Sequence, residues 1–254
     1  MQKLTATLNN SHPLTHDTKI YDLSLEPEPI YIKPGQFVSL VITLPNGVEK
    51  CSRSYSVFGF GEDAHIEGSG VKTKKIKLLI RTVAGGKASP VIEGLAPGTK
   101  IPLMGASGLL TPPEDTNVPL LLCGSATGIA PFFAYLEYYS LLKKYPEINL
   151  YFGLRHIEDL HLLEELKKYI LIWTENGSRL NVKVCVSQED AQALQAHKFA
   201  ELLFSGRMTE HIAKDLPAFT GSAYICGGKD FVLGIKDYLT TNLPKSKIFV
   251  EKFF

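Results

Sequence analysis

The stretch "EKCSRSYSVFG" places an arginine, a tyrosine and a serine within four residues, at Arg53, Tyr55 and Ser56. Its composition is typical of a β-strand, in which residues i and i+2 point to the same face, so Arg53 and Tyr55 share a face. A cation, a flat ring and a hydroxyl so close together could form a site that offers all three groups to one ligand. An exposed strand with mixed surface residues is the alternative, and this stretch alone does not decide.

A second candidate site is "AGGKASP", residues 84–90. Its two glycines allow backbone conformations that other residues rarely adopt. Ser89 lies at the predicted start of a short helix. Helix starts present unpaired N–H groups and the positive end of the helix dipole, so a phosphate would fit here, with Arg53 as counter-charge. Ser89 as an ordinary helix N-cap is the alternative.

A third segment, "CGSATGIAP" at 123–131, follows a predicted buried strand and opens a predicted helix. Pro131 fits the first helical turn, where no amide donor is needed. Nucleotide phosphates bind at this position in open α/β sheets. The segment is not the usual G-x-G-x-x-G, and a tight turn without a ligand remains open.

The stretch "YICGGKDF" at 224–231 puts Cys226 and Gly227 at the C-terminal end of a late predicted strand. Ligands bind in the crevice outside the carboxyl ends of such strands. A buried structural cysteine is the alternative.

The elements around these segments divide the chain into two halves. Up to about residue 112, short strand-like runs are separated by Pro, Gly and Asn, which indicates an antiparallel barrel or sandwich. Beyond the connector "TPPEDTNVP", strands and helices alternate, which indicates a largely parallel open sheet. We therefore predict two domains, 1–112 and 113–254. The lysine-rich "VKTKKIK" at 71–77 is interpreted as a solvated edge.

Composition limits the possible functions. The 254 residues are 44% hydrophobic and carry a formal net charge of +1, which argues against nucleic-acid binding. No apolar run is long enough to span a bilayer and the first residues lack a signal-peptide core, so we expect a cytoplasmic protein without membrane insertion. The four cysteines are dispersed and no metal-ligand spacing is present, so we expect neither a disulfide framework nor a metal site. The histidines His156, His161 and His211 are interpreted as surface or capping residues.

Taken together and in order, "RSYS", "GGKAS", "SATGIAP", "YFGLR", "YICGG" and "EKFF" resemble the ferredoxin–NAD(P)H reductase superfamily over nearly the whole chain. The resemblance implies a six-stranded antiparallel FAD-binding barrel followed by an NAD(P)-binding α/β domain.

The resemblance also implies roles for individual residues. Arg53 would hold a flavin phosphate, Tyr55 would stack on the isoalloxazine, and the Ser56 hydroxyl would hydrogen-bond the ring nitrogen that accepts hydride. The catalytic residues implied or inferred are Ser56, Cys226 and Glu251. The cofactor-binding residues are Arg53, Ser54, Tyr55, Ser56, Gly86, Lys87, Ala88, Ser89, Thr127, Gly128, Pro131, Arg155, Ser187, Gly227, Phe253 and Phe254.

Two positions depart from the family pattern. Ala126 stands where the family often has a glycine beside the T-G-I-A-P threonine. NADPH users typically carry a Ser-Arg pair after the third α/β strand, whereas Ser187 is followed here by "QED". Because Glu189 and Asp190 would repel a 2′-phosphate, we predict NADH over NADPH, although Arg155 or Arg179 could compensate.

The C-terminal "VEKFF" would lie near the flavin. Phe253 or Phe254 would shield the flavin face and Glu251 would relay or position a proton. The alternative is a final strand whose aromatic rings pack in the core.

We therefore predict an FAD-dependent NAD(P)H oxidoreductase that transfers hydride to FAD and then passes single electrons to a separate ferredoxin, flavodoxin or similar carrier. We expect it to be a monomer. The alternatives are an NAD(P)H-dependent free-flavin reductase and a non-catalytic electron-transfer subunit of a larger complex. Tyr55 and the intact "GGKAS" favour a tightly held FAD.

Overall fold

The computed structural model describes residues 2–253. The chain forms two compact units, one of residues 1–112 with 130–142 and the other of residues 113–129 with 143–254. The first unit differs from the predicted range 1–112 by one added helix. That helix packs on the barrel through Phe133, whose ring centroid lies 4.9 Å from that of Phe58.

The first unit is a closed six-stranded antiparallel barrel with a three-stranded sheet beside it. Its strand order around the barrel is β1-β2-β8-β5-β4-β9, and the smaller sheet runs β3-β7-β6. The elements are β1 (Gln2–Pro13), β2 (Thr18–Glu26), β3 (Ile30–Ile32), β4 (Phe37–Thr43), β5 (Lys50–Phe60), β6 (His65–Glu67), β7 (Gly70–Thr73), β8 (Lys75–Arg81), α1 (Ser89–Glu93) and β9 (Lys100–Ser107), together with the later helix 130–142.

The barrel confirms the predicted strands and the short helix near Ser89, and it corrects two points. Strand β9 was not foreseen from the sequence, because Pro102 is unusual inside a strand. It nevertheless pairs with both β1 and β4 and closes the barrel. The interpretation of 71–77 as an edge is wrong: β8 pairs with β2 and β5, and β7 lies between β3 and β6.

The second unit is built on a six-stranded sheet in the order β13-β12-β11-β10-β14-β15, and every neighbouring pair is parallel. This confirms the predicted open α/β sheet. The elements from residue 120 onward are β10 (Leu120–Ser125), α2 (Ala130–Leu142, which belongs to the first unit), β11 (Ile148–Leu154), α3 (Leu163–Glu175), β12 (Leu180–Val186), α4 (Ala191–Gln195), β13 (Leu203–Ser205), α5 (Met208–Asp215), β14 (Ser222–Gly228), α6 (Lys229–Asn242) and β15 (Lys247–Phe253). A 3₁₀ turn over Ala126–Ile129 joins β10 to α2.

The core of the second unit is continuous and apolar, which is typical of parallel strands covered on both faces. One buried cluster joins residues of β10, β11, β12 and β14 to Met208 and Ile212 of α5 and to Val232, Ile235 and Leu239 of α6. From about His197 to Asp215 the sequence pattern predicts helical stretches, so the three-residue strand β13 inside this range was not foreseen.

The histidines partly differ from the prediction. His161 is buried, with Nδ1 2.7 Å from the Asp159 carbonyl oxygen and its ring edge-on to Phe152, so it is not a surface residue. The half-buried His211 lies 2.9 Å from the Ser205 carbonyl oxygen through Nε2. Within residues 2–253, no helix has both the length and the apolar character needed to cross a membrane.

Candidate functional site

The segment Arg53–Ser56 lies in β5, where the burial of the strand changes. Residues 52–54 are exposed, Tyr55 is half-buried and Ser56 is 5% exposed. The cross-strand partners of Arg53 and Tyr55 on β4 are Leu40 and Val38, both buried. Directly opposite residues share a face, so a cation and a ring replace apolar side chains on a face that is otherwise buried. Arg53 and Tyr55 therefore share a face of β5, as their spacing predicts.

The polar groups of this segment are partly fixed by the strand itself. Arg53 Nη1 donates to the Ser52 carbonyl at 2.8 Å, and Ser54 Oγ lies 2.9 Å from Ser39 Oγ. Burial raises the pKa of Tyr55 to about 12, while the nearby charge of Arg53 acts to lower it. Tyr55 is therefore a neutral phenol at neutral pH, and its ring presents an uncharged face to a ligand.

The loop 84–89 has the backbone freedom expected of a phosphate loop. Gly85 has φ +73°, in the left-handed region, and a Cβ on Gly86 would lie 2.9 Å from the Val83 carbonyl oxygen. Ser89 is the first residue of α1 and its Oγ accepts the Val83 N–H at 2.9 Å, so the N-cap alternative does not hold. A hydroxyl that accepts this bond keeps a proton to donate to an anion.

An exposed ion pair connects this loop to the start of β5. Lys87 Nζ lies 3.6 Å from Glu49 Oε1, one residue before the strand begins. The structure thus brings the predicted phosphate loop to the strand that carries Arg53.

The loop that follows β10 approaches the end of β14 closely. A Cβ on Gly128 would collide with the Cys226 carbonyl and would lie 2.7 Å from the Gly227 Cα. Ala126, where the family pattern has glycine, adopts φ +47°. Thr127 is half-buried, and Pro131 is the second residue of α2. Only glycine fits at Gly128, because the two backbones touch there.

Cys226 and Glu251 are direct neighbours on β14 and β15. The cysteine is fully buried, and Glu251 is half-buried. A Cβ on Gly227 would meet the Ser125 hydroxyl. Ser125 was not among the residues predicted from the sequence, although its place beside Ala126 in the motif was a usable signal. Thr127, Gly128, Cys226, Gly227 and Glu251 therefore belong to one end of the same sheet.

The last residues form the edge strand β15, as far as Phe253. Phe253 is half-buried, and Phe249 is 37% exposed and stacks on Tyr224 at 4.9 Å. The alternative of a final strand packed in the core does not hold for these two rings. Phe254 lies outside the described residues.

A further group of polar residues surrounds the carboxyl ends of β11 and β12. Ser187 donates its N–H to the Leu154 carbonyl, and Gln188 donates to the Arg155 carbonyl at 2.9 Å. Glu189 Oε1 accepts the Ile157 N–H at 3.2 Å, which orients its carboxylate.

The structure separates the two arginines that were weighed for this region. Arg179 precedes β12 and Ser187 follows it, so the seven-residue strand places them about 26 Å apart. Arg179 therefore cannot compensate for the missing arginine, whereas Arg155 lies at the correct end. The exposed Arg207, two residues after β13, lies at the same end of the sheet and was not considered from sequence.

The residues present fit the cofactors that the resemblance implies. The open space beside Gly85, the exposed Arg53 guanidinium and the neutral Tyr55 ring suit a flavin nucleotide. The glycine-lined end of β10 and β14 suits a nicotinamide nucleotide. No group of three or more His, Cys, Asp and Glu side chains that could hold a metal is found in the described part of the chain.

Comparison with known proteins agrees with this assignment. Residues 5–111 match the model of the oxidoreductase FAD-binding domain, and residues 121–237 match that of the oxidoreductase NAD-binding domain. The chain is 28% identical over 262 residues to the reductase subunit of an aromatic O-demethylase from Amycolatopsis, covering all of this chain and 70% of that protein.

It is also 28% identical over 220 residues to a Ralstonia ferredoxin–NAD(P)(+) reductase component of naphthalene 1,2-dioxygenase/salicylate 5-hydroxylase systems, covering 86% of this chain and 58% of the relative. The crystal structure of the Amycolatopsis cytochrome P450 reductase GcoB superposes with a TM-score of 0.79 at 27% identity, covering 99% of this chain and 70% of that one. The chain thus spans between 58% and 70% of the length of these relatives.

The barrel, the parallel sheet and the two matched domains define an FAD-dependent NAD(P)H oxidoreductase. The chain belongs to the ferredoxin–NAD(P)H reductase superfamily, with an FAD-binding domain followed by an NAD-binding domain. Its cofactors are FAD and a nicotinamide nucleotide.

Proposed function

We propose that this chain is the NADH-dependent reductase of an electron-transfer system, and that it supplies electrons to a ferredoxin or flavodoxin, or directly to an oxygenase. FAD, when bound, accepts an electron pair from a nicotinamide and releases the electrons singly. The observation that carries the proposal is that one chain combines the FAD-binding and NAD-binding domains. The relatives named as reductase components of demethylase and dioxygenase systems support this role.

On the flavin side, residues of β5 and of the loop 84–89 would bind the flavin nucleotide and orient its ring. Arg53 would pair with a flavin phosphate, and Gly86, Lys87, Ala88 and Ser89 would surround the pyrophosphate. Tyr55 offers its face to the isoalloxazine. Ser56 would donate its hydroxyl proton to the ring nitrogen, so the ring is held with its reactive atom beside a buried donor. The buried position of Ser56 supports this, since a donor shielded from water keeps its geometry.

On the nicotinamide side, Thr127 and Gly128 would contact the nucleotide, Cys226 would lie beside the hydride-bearing carbon, and Glu251 would hold or position a proton next to it. The register that pairs Cys226 with Glu251 supports this.

For the nucleotide we propose NADH. The oriented Glu189 carboxylate at the end of β12 and the acidic Asp190 beside it disfavour a 2′-phosphate. Arg155 and Arg207 lie at the same end of the sheet, and their positive charges act against this preference.

The test is an anaerobic titration of the FAD-loaded protein with NADH and then NADPH, followed by visible absorbance. Bleaching of the flavin band by about one equivalent of NADH, with a slower response to NADPH, is the expected result. A flavin band that neither nucleotide changes would indicate an electron-transfer subunit fed from elsewhere. Weak FAD binding combined with rapid turnover of added free flavin would instead indicate a free-flavin reductase.

A further inference from the structure

Helix α2 places a carboxylate against the backbone of β5. The Oε2 atom of Glu137 accepts the N–H of the buried Phe60 at 3.0 Å. Burial raises the pKa of the Glu137 carboxyl, while the Phe60 N–H and the charge of Lys77 act to lower it. Neither the sequence motifs nor the family pattern assigned this residue a role.

The strand is irregular at this contact. The pairing of β5 with β8 shifts between Val57 and Gly59, so the ladder is interrupted there by a bulge. A Cβ on Gly59 would lie 2.7 Å from Glu137 Oε2, so the carboxylate can approach only because Gly59 has no side chain. Phe133, one turn earlier in α2, packs on Phe58 in the same stretch. The helix, rather than the sheet ladder alone, therefore fixes residues 57–60.

Ser56 lies immediately before this bulge. A bulge changes the direction of the side chains next to it. Because the ladder hydrogen bonds are interrupted there, a contact from another element is needed to fix the backbone. We propose that Glu137 is a positioning residue for hydride transfer: by holding the bulged end of β5, its carboxylate sets the position of the Ser56 hydroxyl. This inference rests on the role proposed above for Ser56. It assigns Glu137 no contact with either cofactor.

The first test measures the backbone directly and needs no cofactor. Amide hydrogen exchange of a peptide that covers 56–61 should be faster in Glu137→Ala than in wild type, because the Phe60 N–H loses its acceptor. Glu137→Gln keeps an oxygen acceptor and should exchange nearly as wild type does. Glu175→Gln, at the exposed end of α3, is the matched control and should leave this peptide unchanged.

The second test is a double-mutant cycle on the FAD-loaded protein. The rate constant for flavin reduction at saturating NADH should fall about tenfold in Glu137→Ala, because small misplacements of catalytic groups have large effects on rate. The dissociation constants of FAD and NADH should change less than about twofold, since their contacts are elsewhere. In a Ser56→Ala background, Glu137→Ala should have little further effect, because the group that it positions is gone.

Gly59→Ala tests the contact between Glu137 and β5 by changing the strand instead of the helix. Its new methyl group should push the carboxylate away and slow flavin reduction in the wild-type background. In the Glu137→Ala background it should be nearly silent, because the atom it would meet is absent.

The outcomes separate the two claims. If Ser56→Ala leaves flavin reduction at the wild-type rate, the proposed role of Ser56 is wrong, and the inference about Glu137 is overturned with it. If Ser56→Ala slows reduction but Glu137→Ala does not, or if their effects simply multiply, the positioning role alone is overturned.

Discussion

Gly128 and Cys226 are in backbone contact: a methyl group on the Gly128 Cα would collide with the Cys226 carbonyl oxygen. This contact joins the loop after β10 to the end of β14. It explains why the motif needs glycine at this position, independently of any ligand.

Gly128→Ala should therefore disturb both folding and nucleotide binding. Overpacking of this kind costs about 1–3 kcal/mol of unfolding free energy, and the shifted loop should weaken NADH binding. Urea denaturation and an NADH titration would measure the two effects. Gly234→Ala in α6 is the matched control, because a Cβ there meets nothing within 4 Å. It should stabilise the protein by about 1 kcal/mol. Equal effects at the two positions would contradict the close approach.

A substitution at Ala126 is expected to change the unfolding free energy in the opposite direction. The Ala126 φ of +47° lies in the left-handed region, which glycine adopts without strain. Ala126→Gly should raise the unfolding free energy by about 0.5–1 kcal/mol. Ala213→Gly, at an exposed helical position in α5, should lower it by about 1 kcal/mol. Thermal melts of the two variants would compare them, and destabilisation by both would show that Ala126 is unstrained.

Ser56→Ala tests the proposed donor on the flavin side. Because the hydroxyl would act on the reacting ring rather than hold the nucleotide, FAD should stay bound while flavin reduction by NADH slows about 10–100-fold. Stopped-flow absorbance under anaerobic conditions measures the rate, and gel filtration followed by a spectrum measures retention of FAD. Loss of FAD without a change in rate would assign Ser56 to binding instead.

Glu189→Gln tests the nucleotide preference. Removing one oriented negative charge near the expected 2′-phosphate should raise kcat/KM for NADPH about five- to tenfold, which corresponds to about 1 kcal/mol for a solvent-screened charge pair. The amide can still accept the Ile157 N–H, so the loop should keep its shape. The value for NADH should change little. Steady-state kinetics with both nucleotides decide this, and a parallel rise for NADH would show that Glu189 does not read the 2′ position.

The contacts of the Asp215 carboxylate predict that the unfolding free energy depends on pH. This carboxylate accepts from Tyr151 at 2.8 Å and pairs with Lys183 at 2.6 Å. Burial acts to raise the pKa of Asp215, but the bonds from Lys183 and Tyr151 outweigh it and hold the pKa below its ordinary value of 3.8. Because the folded pKa lies below the unfolded one, this stabilisation is present above the unfolded pKa and is lost as pH falls through the folded pKa.

Asp215→Asn should therefore be less stable than wild type at pH 7, by about 1–3 kcal/mol, and this difference should shrink on acidification to pH 3. Urea midpoints at pH 7, 5 and 3 would show the convergence. A difference that stays constant across this range would mean that the carboxylate charge contributes nothing.

Much of the fold could be predicted because its signals are local. Alternating apolar residues bounded by Pro and Gly identified most of the barrel strands, and buried runs followed by helical patterns identified the parallel sheet. Strand β9 was missed because Pro102 weakens its local pattern, although its pairing with β1 and β4 closes the barrel. The pairing of distant strands stabilises a segment whose own residues do not favour a strand.

For the site, the sequence by itself determined which residues are predicted to carry the chemistry: the Arg53–Ser56 segment, the glycines of the proposed phosphate loop, and the motifs around Gly128 and Cys226. These are local requirements for a ring, a charge, a hydroxyl or a flexible backbone. Only the tertiary structure decided which of them meet. It placed Arg155 at the carboxyl end of the sheet strands and Arg179 at the other end, and it brought Glu137 of α2 to the bulge beside Ser56. Such contacts join residues far apart in sequence, and they depend on the register of strands and the packing of helices, which no short segment encodes.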